Sequence, residues 1–156
     1  MERLTRIASF NVDHNTLERG VYVSRVDGDI TTYDMRFVKP NTPPFLPTAV
    51  IHTIEHLFAT YARNSAYADN VIYFGPMGCR TGFYFLLRDT DKAAALNLIK
   101  ELVRKCMSHQ GKIPGQSAIE CGNYLEMDFD GAVTTLKEYY NLIKDKTVEN
   151  LNYLYE

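Results

Sequence analysis

Thr48-Ala49-Val50-Ile51-His52-Thr53-Ile54-Glu55-His56-Leu57-Phe58-Ala59-Thr60-Tyr61-Ala62-Arg63 is the stretch that organises the whole chain. Turned at ~100° per residue, Ile54, Leu57, Phe58 and Tyr61 form one stripe, with His52, Glu55 and His56 on the opposite side. The spacing predicts a helix over residues 49–63, with Thr48 as its N-cap. Residues at i, i+3 and i+4 share a helical face, so two imidazoles and a carboxylate converge on one small volume. Ala59 and Ala62, both small, flank this trio and leave space for a ligand. The pattern reads as a divalent-metal site carrying its own base, on a helix whose other side packs into a core.

The rest of the chain supplies that core. Residues 40–47 include four prolines and must run as an extended loop. Before them lies a hairpin over 21–38, with strands at 21–26 and 30–38 joined by an Asp27-Gly28 turn. Tyr33, Met35 and Phe37 alternate there with Thr32, Asp34 and Arg36, giving one greasy face and one polar face. Residues 71–74 and 82–88 read as strands on either side of Gly75-Pro76-Met77-Gly78. Asp89 or Thr90 caps a helix reaching about Ser108, with Leu98 or Ile99, Leu102, Val103 and Cys106 as its stripe. A loop at 111–115 precedes an alternating run at 119–127, read as another strand. Asp130 then opens a last helix through about Lys146, with Leu136, Tyr139, Tyr140 and Ile143 on its apolar side. The final ten residues fit strand or helix equally. This order predicts an α+β fold: a single two-layer domain over 1–156, its antiparallel-dominated sheet packed by helices on one face.

Bulk properties agree with one modest domain. The chain has 156 residues, 46% apolar and 23% charged, ordinary for a globular protein. A net charge of −2 leaves no basic footprint for nucleic acid. No window approaches the ~18 apolar residues of a membrane span, and the N-terminus lacks a signal-peptide apolar block, so a cytoplasmic location is expected. Cys79, Cys106 and Cys121 are odd in number, which argues against a disulfide framework.

Two histidines do not complete a catalytic metal site, which takes three protein ligands and keeps one position open. Donors elsewhere include Cys79, Cys121, His14 and His109. Cys121 is the best candidate: on its expected strand it shares a face with Ile119 and Leu125, and Gly122 beside it admits a close helix. Cys106 continues a helical stripe and reads as core filler; His109 reads as a surface residue stabilised by a helix end. Cys79 sits in Pro76-Met77-Gly78-Cys79-Arg80-Thr81-Gly82, a glycine-flanked turn that presents a thiol beside a guanidinium able to favour its thiolate.

These pieces together resemble the LuxS family, the S-ribosylhomocysteine lyases that produce the autoinducer-2 precursor. The resemblance spans nearly the whole chain. It rests on Ser9-Phe10 with Asp13-His14, Asp34-Met35-Arg36-Phe37, Ile51-His52-Thr53-Ile54-Glu55-His56-Leu57, the run 76–84, and Cys121-Gly122-Asn123-Tyr124. It implies a small α+β metal-dependent lyase domain, with His52, His56 and Cys121 as metal ligands and Glu55 and Cys79 as acid/base residues. Ser9, His14 and Arg36 match positions tied to substrate binding, in an active site built at a homodimer interface. One divalent metal per subunit is implied: ferrous iron, with zinc or cobalt also accepted. The chain departs from the family where Tyr73-Phe74-Gly75 replaces an acidic residue and a serine before the Pro-Met-Gly-Cys turn, a change that bears on contacts to the sugar hydroxyls. Val38 also stands where a cysteine frequently follows the Arg-Phe pair.

The implied substrate is a small molecule, a ribose joined to homocysteine through a thioether. Moving the sugar carbonyl along the chain lets the thiolate leave by β-elimination, without redox or hydrolysis. Each step removes a carbon-bound proton next to a carbonyl, which a Lewis acid must acidify. Cys79 is expected to serve the isomerisations, and Glu55 the transfers at the sugar oxygens and the elimination. Two other readings compete. An inverted-motif metallopeptidase would use Glu55 to activate water but has no use for Cys79. A non-enzymatic metal-stabilised interaction module would need a fourth protein ligand.

Overall fold

Gly28, at φ 61°, reverses the chain between two strands, β1 (Gly20–Asp27) and β2 (Ile30–Arg36). The structure is a computed structural model that describes residues 2–153. After the proline-rich loop come helix α1 (Thr48–Arg63), strands β3 (Val71–Pro76) and β4 (Gly82–Arg88), and helices α2 (Lys92–Met107) and α3 (Phe129–Ile143). The four strands form one sheet in the order β1-β2-β4-β3, every pair antiparallel. All three helices contribute to one core against one face of this sheet, the expected α+β arrangement.

The α1 stripe seats as its periodicity requires. Ile54, Leu57 and Phe58 are fully buried, and Phe58 stacks on Phe74 at 4.1 Å and meets Phe85 edge-on at 5.0 Å. Burying one such side chain contributes roughly 1.5–3 kcal/mol, so this stripe fixes which way α1 faces. Leu98, Ile99, Leu102, Val103 and Cys106 of α2 and Leu136, Tyr139 and Ile143 of α3 close the same core. Burial pushes the Cys106 thiol well above its ordinary pKa, in keeping with a filler role. Ala62 corrects an expectation: it is completely buried in the core and leaves no space beside the polar trio. Ala59 does border a cleft with Glu55 and His56.

Helix starts shift by a residue or two from the expected caps. Thr48 is the first residue of α1, preceded by Pro47, and its hydroxyl donates instead to the Glu126 carboxylate. Asp91, rather than Asp89 or Thr90, caps α2 by accepting from Ala94 N at 2.8 Å. Asp89 is spent on the turn after β4, at φ 49°. Asp128 caps α3 through Gly131 N at 2.9 Å, so the helix opens before Asp130 and ends before Lys146. Of the last ten residues, Val148–Leu151 form one 3₁₀ turn, and 154–156 lie outside the described residues.

The larger correction concerns residues 119–127, which form turns and no strand. Ser117 donates to the Glu120 carboxylate at 2.6 Å, and the amides of Glu120 and Cys121 both return to Ser117 O. This local closure outcompetes an extended ladder. Ile119 and Leu125, expected on a core face with Cys121, are 95% and 78% exposed. Their alternation with polar neighbours has no structural counterpart.

The polar face of β2 is not open either. Asp34 and Arg36 are buried as an ion pair at 2.7 Å, and the Tyr153 hydroxyl donates to Asp34 Oδ2 at 2.6 Å. Burial works against the Arg36 charge, but the Asp34 carboxylate and its hydrogen bond prevail and hold the guanidinium protonated.

Candidate active site

α1 turns His52, Glu55 and His56 away from the core, each half-buried. Each imidazole is braced by a carbonyl of the segment between α2 and α3. His52 Nδ1 lies 2.9 Å from Glu126 O, and His56 Nδ1 lies 2.7 Å from Pro114 O. A carbonyl only accepts, so both Nδ1 atoms carry the proton and both Nε2 atoms are left as donors to a cation. Cys121 Sγ is 3.3 Å from His52 Nε2, and one ligand atom from each of His52, His56 and Cys121 lies within 4.8 Å of the others.

These residues fit a metal ion. Metal–donor bonds of ~2.0–2.3 Å in a tetrahedron place donors about 3.3–3.8 Å apart, so small side-chain movements suffice. The loop is held against α1 at several points. Asn123 Nδ2 donates to Glu126 at 2.9 Å, and Asp128 N donates to Thr53 Oγ1 on α1 at 2.8 Å. Gly115 is required by geometry: it sits at φ 73°, and a Cβ there would stand 2.9 Å from His56 Nδ1. Among the described residues no other group of three such donors occurs, and this one has no fourth member. That count favours an open site over a closed structural one.

Glu55 borders two clefts. One, of about 250 Å³, is lined also by His56, Ala59 and Gly115; the other, of about 330 Å³, by His52, Met77, Gly78 and Arg80. The second cleft is walled by the turn that carries Cys79, which is exposed as the sequence reading requires of a working thiol. The turn closes through Arg80 N to Met77 O at 3.0 Å, with Arg80 at φ 61°. Its outer side is fastened to the proline-rich loop by Leu46 N to Arg80 O at 3.0 Å.

The Arg80 guanidinium, expected beside the thiol, is engaged elsewhere. Arg80 reaches back to Leu46 O at 3.5 Å, whereas Cys79 Sγ contacts Thr81 Oγ1 at 3.0 Å, and Thr81 Oγ1 accepts from Arg36 at 2.8 Å. Buried Thr81 thus links an exposed thiol to a buried ion pair. Nothing in the sequence singles out Thr81 beyond its place in the run 76–84. Likewise the Pro114 and Glu126 carbonyls are invisible to any reading of side-chain types.

The remaining residues fall elsewhere. Ser9 lies in a short 3₁₀ turn and lines a cavity on the far face of the sheet with Tyr73 and Tyr84. His14 contacts Val12 O at 2.8 Å. Neither lines the clefts beside Glu55. His109 is half-buried just past α2, held by the Tyr61 hydroxyl at 2.8 Å and Lys112 O at 2.8 Å, and takes no part in the metal centre.

Fold and site together define a small α+β protein with a three-donor cluster that fits a metal ion and a carboxylate, Glu55, on the helical face of its two histidines. Residues 7–150 match the S-ribosylhomocysteinase (LuxS) family, and the chain belongs to it. It is 46% identical to the S-ribosylhomocysteine lyase of Clostridium acetobutylicum over 156 residues, covering 96% of this chain and 99% of that protein. The S-ribosylhomocysteine lyase of Finegoldia magna is 46% identical over 155 residues, with the same coverage of both chains. That of Porphyromonas gingivalis is 43% identical over 157 residues, again covering 96% and 99%.

Proposed function

We propose that the chain is an S-ribosylhomocysteine lyase, cleaving its substrate to homocysteine and 4,5-dihydroxy-2,3-pentanedione. The observation that carries this is the meeting of His52, His56 and Cys121 donor atoms within 4.8 Å, beside Glu55, in a chain of this family. A divalent cation held by those three residues would polarise the sugar oxygens and acidify the adjoining C–H bonds.

The protein's own groups then move the protons. Cys79, as thiolate, takes a proton from the carbon beside the sugar carbonyl and returns it to the neighbouring carbon, shifting the carbonyl along the chain. Glu55 exchanges protons with the sugar oxygens and removes the proton whose loss expels the homocysteine thiolate. Thr81, in contact with the sulfur and accepting from Arg36, fixes the direction of the Cys79 side chain. Arg36 carries the positive charge in this chain of contacts and orients the substrate's polar groups.

The family resemblance is the ground for ferrous iron as the ion, with zinc or cobalt as substitutes; two imidazoles and a thiolate would accept any of the three. The working unit is a homodimer in the cytoplasm. Supporting the dimer, Ile119 and Leu125 stand exposed around Cys121, while Ser9 and His14 lie away from the clefts of their own chain. A second copy covering the Cys121 loop would bring its N-terminal segment to that cleft. No helix among the described residues is long and apolar enough to cross a membrane.

The test is anaerobic loading with ferrous iron and incubation with S-ribosylhomocysteine while free thiol is followed. Release of homocysteine is expected; a loaded chain that frees no thiol would contradict the proposal. Mixing a Glu55→Gln chain with a His14→Ala chain, each impaired alone, should restore turnover if the site is shared between copies.

A further inference from the structure

His109 stands where all three helices meet. It follows the end of α2, and its ring meets Tyr61 of α1 edge-on at 5.7 Å. On the other side it meets Phe129, the first residue of α3, edge-on at 6.0 Å. The chain that leaves His109 and returns at Phe129 is the loop bearing Cys121 and both carbonyls that brace the histidines. His109 is no donor itself. It closes the base of the loop that holds the third donor.

The hydrogen bonds of this ring have fixed directions. Lys112 O only accepts, so Nε2 carries the proton and donates to it at 2.8 Å. Nδ1 of the neutral ring then accepts from the Tyr61 hydroxyl at 2.8 Å. The ring therefore joins α1 to the far end of a tight turn through Gly111, which sits at φ 92°. Just beyond Lys112 the Ile113 side chain is buried, and Pro114 O then meets His56 Nδ1 at 2.7 Å. The contacts make a closed circuit: Tyr61 to His109, Lys112 and Pro114, then back to α1 at His56, between one and two turns before Tyr61. With both ends on one rigid helix, such a circuit sets where the Pro114 carbonyl lies against the imidazole.

We propose that His109, held by Tyr61, is a positioning residue: it fixes the loop that sets Pro114 O against His56, and so strengthens the grip of His52, His56 and Cys121 on a divalent cation. A carbonyl behind an imidazole orients the ring and raises its basicity, and losing such a partner costs about 10–100-fold in metal affinity. His109 acts one step behind that carbonyl, so its own effect lies at the lower end of this range. The inference rests on the reading of the three-residue cluster as the metal site, and cobalt uptake by the parent chain tests that reading separately.

The experiment is a competition titration of the metal-free full chain with cobalt against a chelator, beside a thermal melt of the same metal-free chain. His109→Ala should weaken cobalt binding about 10-fold. Tyr61→Phe, which removes a single oxygen, should weaken it about 3-fold, within the worth of one neutral hydrogen bond. His109→Gln keeps one donor and one acceptor on a planar group and should bind within about twofold of the parent. If His109 served stability alone, His109→Ala would melt earlier yet bind cobalt within twofold of the parent when folded, and that result overturns the proposal. A folded His109→Gln chain that binds no more tightly than His109→Ala overturns it as well. Unchanged affinity in Tyr61→Phe does the same, and decides the matter even where His109→Ala fails to fold. A parent chain that takes up no cobalt sinks the metal-site reading instead, and this inference with it.

Discussion

Two members of the His52–His56–Cys121 cluster ride on a regular helix and the third on a run of turns, and the two halves of the cluster are held by different physics. α1 is fixed by burial of Ile54, Leu57 and Phe58, so His52 and His56 are placed by the same packing that makes the core. Cys121 owes its position to no core face. It is placed by hydrogen bonds, from Ser117 and Glu120 on one side to Glu126 and Asp128 on the other. The helix thus supplies direction, and the loop both completes the ligand set and braces the histidines from behind.

The largest effects are expected from the two proton-transfer groups, Glu55 on the helical half and Cys79 on the β3–β4 turn, which belongs to neither half. Glu55→Gln on the helix and Cys79→Ala on the turn should each lower kcat by ~10²–10⁴ with bound metal retained, read by thiol release and metal analysis. If only one of these changes proved costly, the division of labour between Glu55 and Cys79 would need redrawing. Asp34→Asn comes next. It leaves the Arg36 charge buried without its partner and should cost about 3–5 kcal/mol of stability in a denaturant melt.

Much of the helical half was legible in the sequence, because a 3.6-residue period and a hairpin turn are local signals. Strands β1 to β4, the α1 stripe and the face carrying His52, Glu55 and His56 all follow from spacing. The loop half was legible only in its residue types. Cys121 reads as the best candidate for a third ligand, but on a strand, because Ile119 and Leu125 alternate with polar residues by coincidence. Pro114 O, Glu126 O and the close approach of Gly115 to His56 are backbone features, fixed by tertiary contact and carried by no side-chain identity. Arg36 is legible as part of the polar face of β2, but its burial is not, because Tyr153, which bonds its partner Asp34, comes from far along the chain.

Two smaller effects sharpen the contrast. Gly115→Ala forces the loop away from His56 without touching any ligand, and metal affinity should fall about 10–100-fold, as when a ligand loses its bracing partner, in a competition titration. A value within twofold of the parent would show that the loop is not a brace. Asp128→Ala removes the α3 cap where the loop ends and should cost about 1 kcal/mol of stability by melting, with a far smaller effect on metal affinity than Gly115→Ala.

Cobalt substitution probes the centre most directly, because a thiolate bound to cobalt gives an intense charge-transfer band that imidazole and carboxylate ligands do not. The cobalt-loaded chain should show this band at one ion per chain, and Cys121→Ala should abolish it while Cys79→Ala and Cys106→Ala leave it in place. A band that survives loss of Cys121, or disappears with Cys79, would contradict the assignment of His52, His56 and Cys121 as the metal ligands.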